Sequence, residues 1–278
     1  MIRFVTPKDA PKIVPLWHEC FGDGENYIRF FLENALPPGR GLLAEEDSRA
    51  VSMLFLLPGA LELAGEQLCA SYVYAVATTK ERRGHGLAAE LCRQAAELAR
   101  GEGQAALCLF PAEESLRAYY EKLGFRPAFA RTARSFERQK GELPYLKTNL
   151  AWDAERAKAQ RAERWGAQGF FAWDLPLLDY MRREQVFTGG RVRCAEDGYL
   201  FYGAAEGTLR VHECCAPPEA EEWLLQKTLN ISGLEQGEAL LAAEADALPG
   251  GMLLPLDERA ERWLEKTGGR AYMGLTLE

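Results

Sequence analysis

The stretch TTKERRGHGLAAELCRQAAELARGEG, residues 78–103, constrains the fold of this chain more than any other. Upstream of it, LCASYVYAVATT is apolar and rich in Val and Tyr, and reads as a strand. Downstream, Leu87, Leu91, Ala95 and Leu98 recur at helical spacing, with Glu90, Arg93, Gln94 and Glu97 mostly on other faces. Gly84 and Gly86 therefore fall where a strand hands over to a helix. At a helix start the backbone N–H groups have no intrahelical partner and can point at an anion.

The chain has 278 residues, enough for one large domain or two of ordinary size. Lys and Arg number 33 against 41 Asp and Glu, a formal charge of -8, which argues against broad binding of nucleic acid or of an anionic membrane surface. Seven cysteines with no CxxC spacing, and an adjacent pair at Cys214-Cys215, read as small buried hydrophobes in a reducing compartment. No secretory apolar core opens the chain, and no run of 18 apolar residues occurs. The expectation is a soluble cytoplasmic protein with no bound metal, and with homo-oligomerisation left open.

Along the chain, MIRFV reads as a first strand, followed by Thr6 as helix cap, Pro7 at the first helical position and Asp9 completing an acidic capping box. Helical patterns run through Trp17 and through Tyr27, Phe30, Phe31 and Ala35, and LPPGRG breaks them. Three strands follow, with turns at Asp47-Ser48 and near Gly65. After the long helix, AALCLF reads as a buried strand, PAEESLRAYYEKLG as a helix and FRPAF as the start of another strand. This order describes an α/β (α+β) unit with a mixed, mostly antiparallel sheet and flanking helices. GELPYLKTNLAWD reads as the passage into a second unit, so the boundary is placed between residues 148 and 149. Residues 149–278 again run helix, antiparallel strands, helix and strand, ending in AYMGLTL as a last strand, which hints at a diverged second copy.

Three kinds of phosphate site compete for the glycine turn. A Walker A loop needs Lys followed by Ser or Thr after its glycines, and this chain has Leu87 and Ala88. Gly84-x-Gly86-x-x-Ala89 loosely fits a dinucleotide turn, but residues 79–83 separate strand from glycine and LCLFP ends the next strand without an acid. The remaining pattern, Arg83-x-x-Gly86-x-Ala88, resembles the R/Q-x-x-G-x-G/A signature of the GCN5-related N-acetyltransferases, the GNAT superfamily. About 30 residues downstream, SLRAYYEKLGFRPAF resembles that family's second motif, a helix carrying a tyrosine before a Gly-Phe turn.

The resemblance spans roughly residues 1–135 and implies a GNAT fold that binds acetyl-CoA as acetyl donor. It implies that Arg82, Arg83, Gly84, His85, Gly86, Leu87 and Ala88 hold the pyrophosphate, and that Val76 and Thr78 offer backbone N–H groups to the pantetheine and acetyl group. Small residues at the turn let the backbone approach an anion, and the helix dipole favours its charge. Tyr120 aligns with the tyrosine that protonates the coenzyme A thiolate, with adjacent Tyr119 assigned to the core because neighbours do not share a helix face. His18, His85 and His212 supply no clear base.

Where a repeated copy would carry its own glycine turn, the second half has Pro217, Pro218 and glutamates, which do not welcome a pyrophosphate. The tandem arrangement resembles that of the enhanced intracellular survival (Eis) acetyltransferases, shortened and without room for their third domain. By that resemblance, the terminal residue Glu278 is a candidate base. The reading is transfer of an acetyl group to a primary amine by direct attack in a ternary complex. The acceptor leans cationic because of Glu219, Glu221 and Glu222. A non-catalytic acyl-CoA-binding sensor or assembly module, and a transferase for longer acyl groups, are the alternatives.

Overall fold

The computed structural model describes residues 1–37, 40–139, 150–243 and 247–277. The LPPGRG break and the passage at 141–149 fall partly or wholly outside these residues, as does Glu278. In chain order the first elements are β1 (Ile2–Phe4), α1 (Ala10–Phe21), α2 (Glu25–Asn34), β2 (Gly41–Glu46), β3 (Arg49–Leu63) and β4 (Glu66–Thr78). They are followed by α3 (Leu87–Gly101), β5 (Ala106–Leu109), α4 (Arg117–Lys122), β6 (Arg126–Pro127) and β7 (Ala130–Glu137). Next come α5 (Ala154–Trp165), β8 (Phe170–Trp173), α6 (Leu175–Phe187), β9 (Arg191–Ala195), β10 (Gly198–Ala205) and β11 (Thr208–Cys215). The chain continues with α7 (Pro218–Ser232), β12 (Gln236–Ala242), β13 (Leu248–Pro249), β14 (Met252–Pro255) and α8 (Glu258–Thr267). Among the described residues, no helix is long and apolar enough to cross a membrane.

Local chemistry explains most of these boundaries. The β2–β3 turn uses Asp47 and Ser48 at φ 46° and 64°, and the β3–β4 turn uses Ala64 and Gly65 at φ 51° and 84°. Such paired positive φ values match the twist of an antiparallel hairpin. The helix expected over PAEESLRAYYEKLG is shorter than its pattern: Glu113 is extended, a 3-10 turn spans Glu114–Leu116, and α4 holds six residues. The expected last strand over AYMGLTL is not one. Ala271 and Tyr272 make isolated bridges, Gly274 has φ 72°, and the Leu275 N–H turns to the Glu213 carboxylate at 3.1 Å.

The chain forms two compact units: Met1–Ala60, Leu68–Arg126 and Met252–Arg262 make the first, and Leu61–Gln67, Pro127–Gly251 and Trp263–Glu278 the second. The first sheet runs β1-β2-β3-β4-β5-β14-β6, with β8 paired to β3; the second runs β13-β7-β12-β11-β10-β9. Outside β5 lies β14, from late in the sequence, with Met252 opposite Leu109 and Leu253 opposite Cys108. Outside β12 lies β7, from early in the sequence, with Arg134 opposite Ala239. Each sheet thus holds in its strand order a strand from the other half of the chain, β14 in the first and β7 in the second. A single cut near residue 148 follows chain order but separates both strands from their sheets.

The first unit's sheet is covered on both faces. On one, Leu54, Leu56, Val73, Leu107 and Leu109 pack with Leu91, Cys92 and Ala95 of α3 and with Tyr120 of α4. On the other, Phe55, Tyr72 and Tyr74 belong to an aromatic cluster with Trp17 of α1 and Phe31 of α2.

The second unit repeats the order of the first: β10 and β11 pair antiparallel, α7 crosses over, and β12 pairs parallel to β11 from Thr208↔Gln236 to Val211↔Ala239. Inside it, Arg161 of α5 meets Glu213 of β11 at 2.5 Å, their side chains 1% and 0% exposed. The Tyr199 hydroxyl donates to the same carboxylate at 2.7 Å, and the Arg161 guanidinium also donates to the Phe171 carbonyl at 3.2 Å. Five of the seven cysteines are buried; Cys69 is exposed and Cys20 half-buried, and all seven are free.

Candidate active site

In β4, Ala75 has φ 49°, a left-handed conformation inside a strand and in a residue with a Cβ. Such a residue costs on the order of 1–3 kcal/mol and persists only where its surroundings impose it. The kink shifts the side-chain alternation by one. Val73 and Val76, three apart, both face the α3–α4 layer, whereas Tyr72 and Tyr74 face the other. The parallel ladder to β5 runs Ala70↔Ala106, Ser71↔Leu107 and Tyr72↔Cys108, and stops before the kink. Beyond Tyr72, β4 leaves β5, so its backbone groups on that side are open to a partner other than the neighbouring strand.

Thr78 ends the strand in a network. Ser52, fully buried, donates to the Ala77 carbonyl at 2.7 Å, and its oxygen lies 2.8 Å from the Thr78 hydroxyl. A serine has one proton, so Thr78 is the donor in the second contact. The Thr78 carbonyl accepts from Arg83 Nε at 3.2 Å and from the Cys20 thiol at 3.4 Å. A 3-10 turn at Lys80–Arg82 follows, held by Glu19, whose carboxylate accepts from the Lys80 N–H at 2.7 Å. Arg82 pairs with Glu46 at 2.5 Å, both about two-fifths exposed. Such a pair is worth at most about 1 kcal/mol, so an anion can compete for the arginine.

Gly84 and Gly86 have φ 80° and 78°, and a Cβ on either would meet nothing within 4 Å. Conformation rather than crowding selects glycine here, since other residues rarely adopt this region. His85 between them is exposed. Gly86 caps α3, and the first intrahelical bond runs from Glu90 N–H to the Gly86 carbonyl at 2.9 Å. The N–H groups of Gly86, Leu87, Ala88 and Ala89 therefore lie at the helix start without intrahelical acceptors. The turn thus presents several donors at the positive end of a 15-residue helix.

Tyr120 is 8% exposed and belongs to the same apolar cluster as Val73, against which Val76 also packs. Tyr119 is the less buried of the two, the reverse of the assignment of Tyr119 to the core, because α4 turns its Tyr120 face toward α3. Their rings touch at 5.2 Å, and the Tyr120 ring also meets Phe125 at 5.6 Å. Burial, and secondarily Cys92 and Tyr119 beside it, holds the Tyr120 phenol well above its ordinary pKa, so it carries its proton at neutral pH. Cys92 is itself pushed up to about 12 by burial, which makes it an inert thiol.

The structure brings Val76, Thr78, the turn and Tyr120 into the first unit and leaves the other sequence candidates elsewhere. His18 Nδ1 lies 2.8 Å from the Asp23 carbonyl, and His212 is exposed on β11 of the second unit. Glu221, 10% exposed, meets Arg134 at 3.4 Å and Arg164 at 3.7 Å, and Glu222 meets Arg134 at 3.4 Å. Two of the three glutamates behind the cationic lean are thus already neutralised. Sequence reasoning missed Ala75, because an alanine gives no signal of positive φ.

The first unit thus combines a mixed sheet that opens at β4 with a helix start capped by a left-handed glycine. The profile of the acetyltransferase (GNAT) domain family matches residues 1–128, and the first part of this chain belongs to that family. A search of curated proteins returns no match. Among solved structures, the chain resembles a GCN5-related N-acetyltransferase from Kribbella flavida, at 22% identity and TM-score 0.70, over 91% of this chain and 70% of that one. It also resembles Eis1 from Mycobacterium abscessus, at 17% identity and TM-score 0.67, over 94% and 75%. A GCN5-related N-acetyltransferase from Anabaena variabilis aligns at 14% identity and TM-score 0.71, over 93% and 73%. These likenesses extend across both units and concern the fold.

Proposed function

We propose that the first unit transfers an acetyl group from acetyl-CoA to a primary amine. The observation that carries this reading is the departure of β4 from β5 at Ala75, next to a helix start capped by a left-handed glycine. The pyrophosphate would sit on the N–H groups at Gly86, Leu87 and Ala88, with Gly84 and His85 in the turn and Arg82 and Arg83 adding charge. The acyl arm would lie along β4, accepting from the backbone N–H groups of Val76 and Thr78.

In the transfer itself, the amine nitrogen forms a bond to the acetyl carbon and the carbon–sulfur bond breaks. The departing thiolate takes the proton of Tyr120, which is recovered from solvent, and the surplus amine proton leaves to solvent. Tyr120 carries the proton that this donor role requires. Among the described residues, the second unit offers no equivalent turn between β11 and α7. Only Ala216 and Pro217 separate β11 from α7, and Glu219 and Glu221 occupy that helix's first turn.

Acetyl-CoA should raise the melting temperature, since it binds the folded state alone. Gly86→Glu should abolish that shift, by placing a carboxylate at the phosphate site and a side chain at φ 78°. A shift with NADH and none with acetyl-CoA would reject the reading. Tyr120→Phe keeps the ring packing and removes the proton, so turnover should fall about 100-fold with coenzyme affinity nearly unchanged. Tyr119→Phe should cost much less. Normal acetyl-CoA binding without thiol release on any amine would instead identify an acyl-CoA-binding module.

A further inference from the structure

We propose that Tyr27 and Tyr74 anchor the acceptor, and that the acceptor is a primary amine carried on an aromatic or apolar group rather than a polycation. The inference rests on the acetyl-transfer reading of β4. Tyr74 immediately precedes the kinked Ala75 and faces the layer opposite Tyr120. It therefore stands where β4 has left β5, on the side away from the proton donor.

Beneath Tyr74 lies a rigid aromatic floor. Its ring packs on Trp17 at 5.7 Å and on Phe31 at 5.1 Å, and Trp17 packs on Phe55 at 5.6 Å. Trp17, Phe31 and Phe55 are at most 1% exposed, whereas Tyr27 and Tyr74 are half-buried at the rim. Phe21, 42% exposed, extends the aromatic surface from Trp17 at 5.9 Å. The hydroxyl of Tyr27, from α2, lies 3.2 Å from that of Tyr74. Each phenol oxygen has two lone pairs and can accept an N–H from an amine. Being uncharged, these oxygens favour the ammonium form less than a carboxylate would, and the neutral amine is the form that attacks.

Charge argues in the same direction. Around the bend between α1 and α2, Glu19 accepts from the Lys80 N–H, Asp23 from the Trp17 indole and Glu25 from Arg29, each at 2.7 Å. Every one of these carboxylates already has a donor. A polycation would have to share these carboxylates with donors already in place, whereas an aromatic amine gains ring contacts with the accessible parts of Tyr27, Tyr74 and Phe21.

The test is thiol release from acetyl-CoA with 2-phenylethylamine and with spermidine. The proposal expects kcat/KM about tenfold or more in favour of 2-phenylethylamine. Tyr74→Phe and Tyr27→Phe should each raise the amine KM about three- to tenfold, the effect of one neutral hydrogen bond, with kcat and the acetyl-CoA melting shift little changed. Should Tyr74→Phe fail to fold, Tyr27→Phe reads the same hydroxyl pair from the helix side. A preference for spermidine, or an unchanged amine KM in both variants, overturns the proposal while leaving acetyl transfer intact. Absence of any acetyl-CoA shift in the unmodified protein overturns both.

Discussion

Expressed alone, residues 1–148 will give an aggregating or unfolded fragment. Such a fragment contains β5 but not β14, its antiparallel neighbour from Leu109↔Met252 to Ala106↔Pro255. All four residues of β5 are buried, and Met252 and Leu253 are 0% exposed. Losing two fully buried side chains removes roughly 3–6 kcal/mol of apolar burial. That is a large part of the roughly 5–15 kcal/mol by which a domain is stable at all. The bare edge of β5 would then present unpaired backbone groups to other chains. The fragment also keeps β7, whose partner β12 it lacks. Soluble yield and a thermal melt by circular dichroism check this. A soluble fragment that melts cooperatively and keeps full activity would show that β14 is dispensable.

Glu213→Ala is the point substitution expected to destabilise most. It leaves the Arg161 guanidinium, 1% exposed, without its carboxylate, and strips an acceptor from Tyr199 and from the Leu275 N–H. Removing one partner of a buried pair costs about 3–5 kcal/mol. In a chain of this size the melting temperature should fall on the order of 10 °C. Replacing both partners, Arg161→Met with Glu213→Leu, should regain most of the loss, because no isolated charge then remains buried. Gly274→Ala should also destabilise, since its Cβ would lie 2.2 Å from Glu213 Oε2 at a φ of 72°. Denaturant melts of the set decide the matter. A loss below about 1 kcal/mol for Glu213→Ala would mean that water reaches Arg161.

Much of this molecule was legible in its sequence, for reasons that differ by element. The strand, glycine turn and helix around residue 84 were readable because Gly84 and Gly86 mark positive φ and α3 repeats its apolar residues regularly. Hairpin turns at Asp47 and Gly65 announced themselves through residues that tolerate left-handed conformations. Ala75 did not, because the kink is imposed by tertiary surroundings on a residue of no special preference. Nor was the depth of Tyr120 relative to Tyr119 readable, since two adjacent tyrosines carry the same local pattern. The last segment read as a strand from its apolar alternation, yet Leu275 gives its N–H to a buried carboxylate 62 residues earlier. Strand membership is also nonlocal: nothing in MLLP says that its neighbour is β5.

That long-range pairing sets an order of events during synthesis. The ribosome makes β5 at residues 106–109, but Met252–Pro255 only after more than half of the chain has followed. At typical elongation rates that interval is on the order of ten seconds, far longer than helices and hairpins need to form. Throughout it the first sheet has its helices and its hairpins but an unfinished apolar edge. The nascent chain must be kept from pairing through that edge, and the first unit closes only once Met252–Pro255 has been made. Completion of the first unit's sheet is therefore coupled to the synthesis of a strand made long after the rest of that sheet's core.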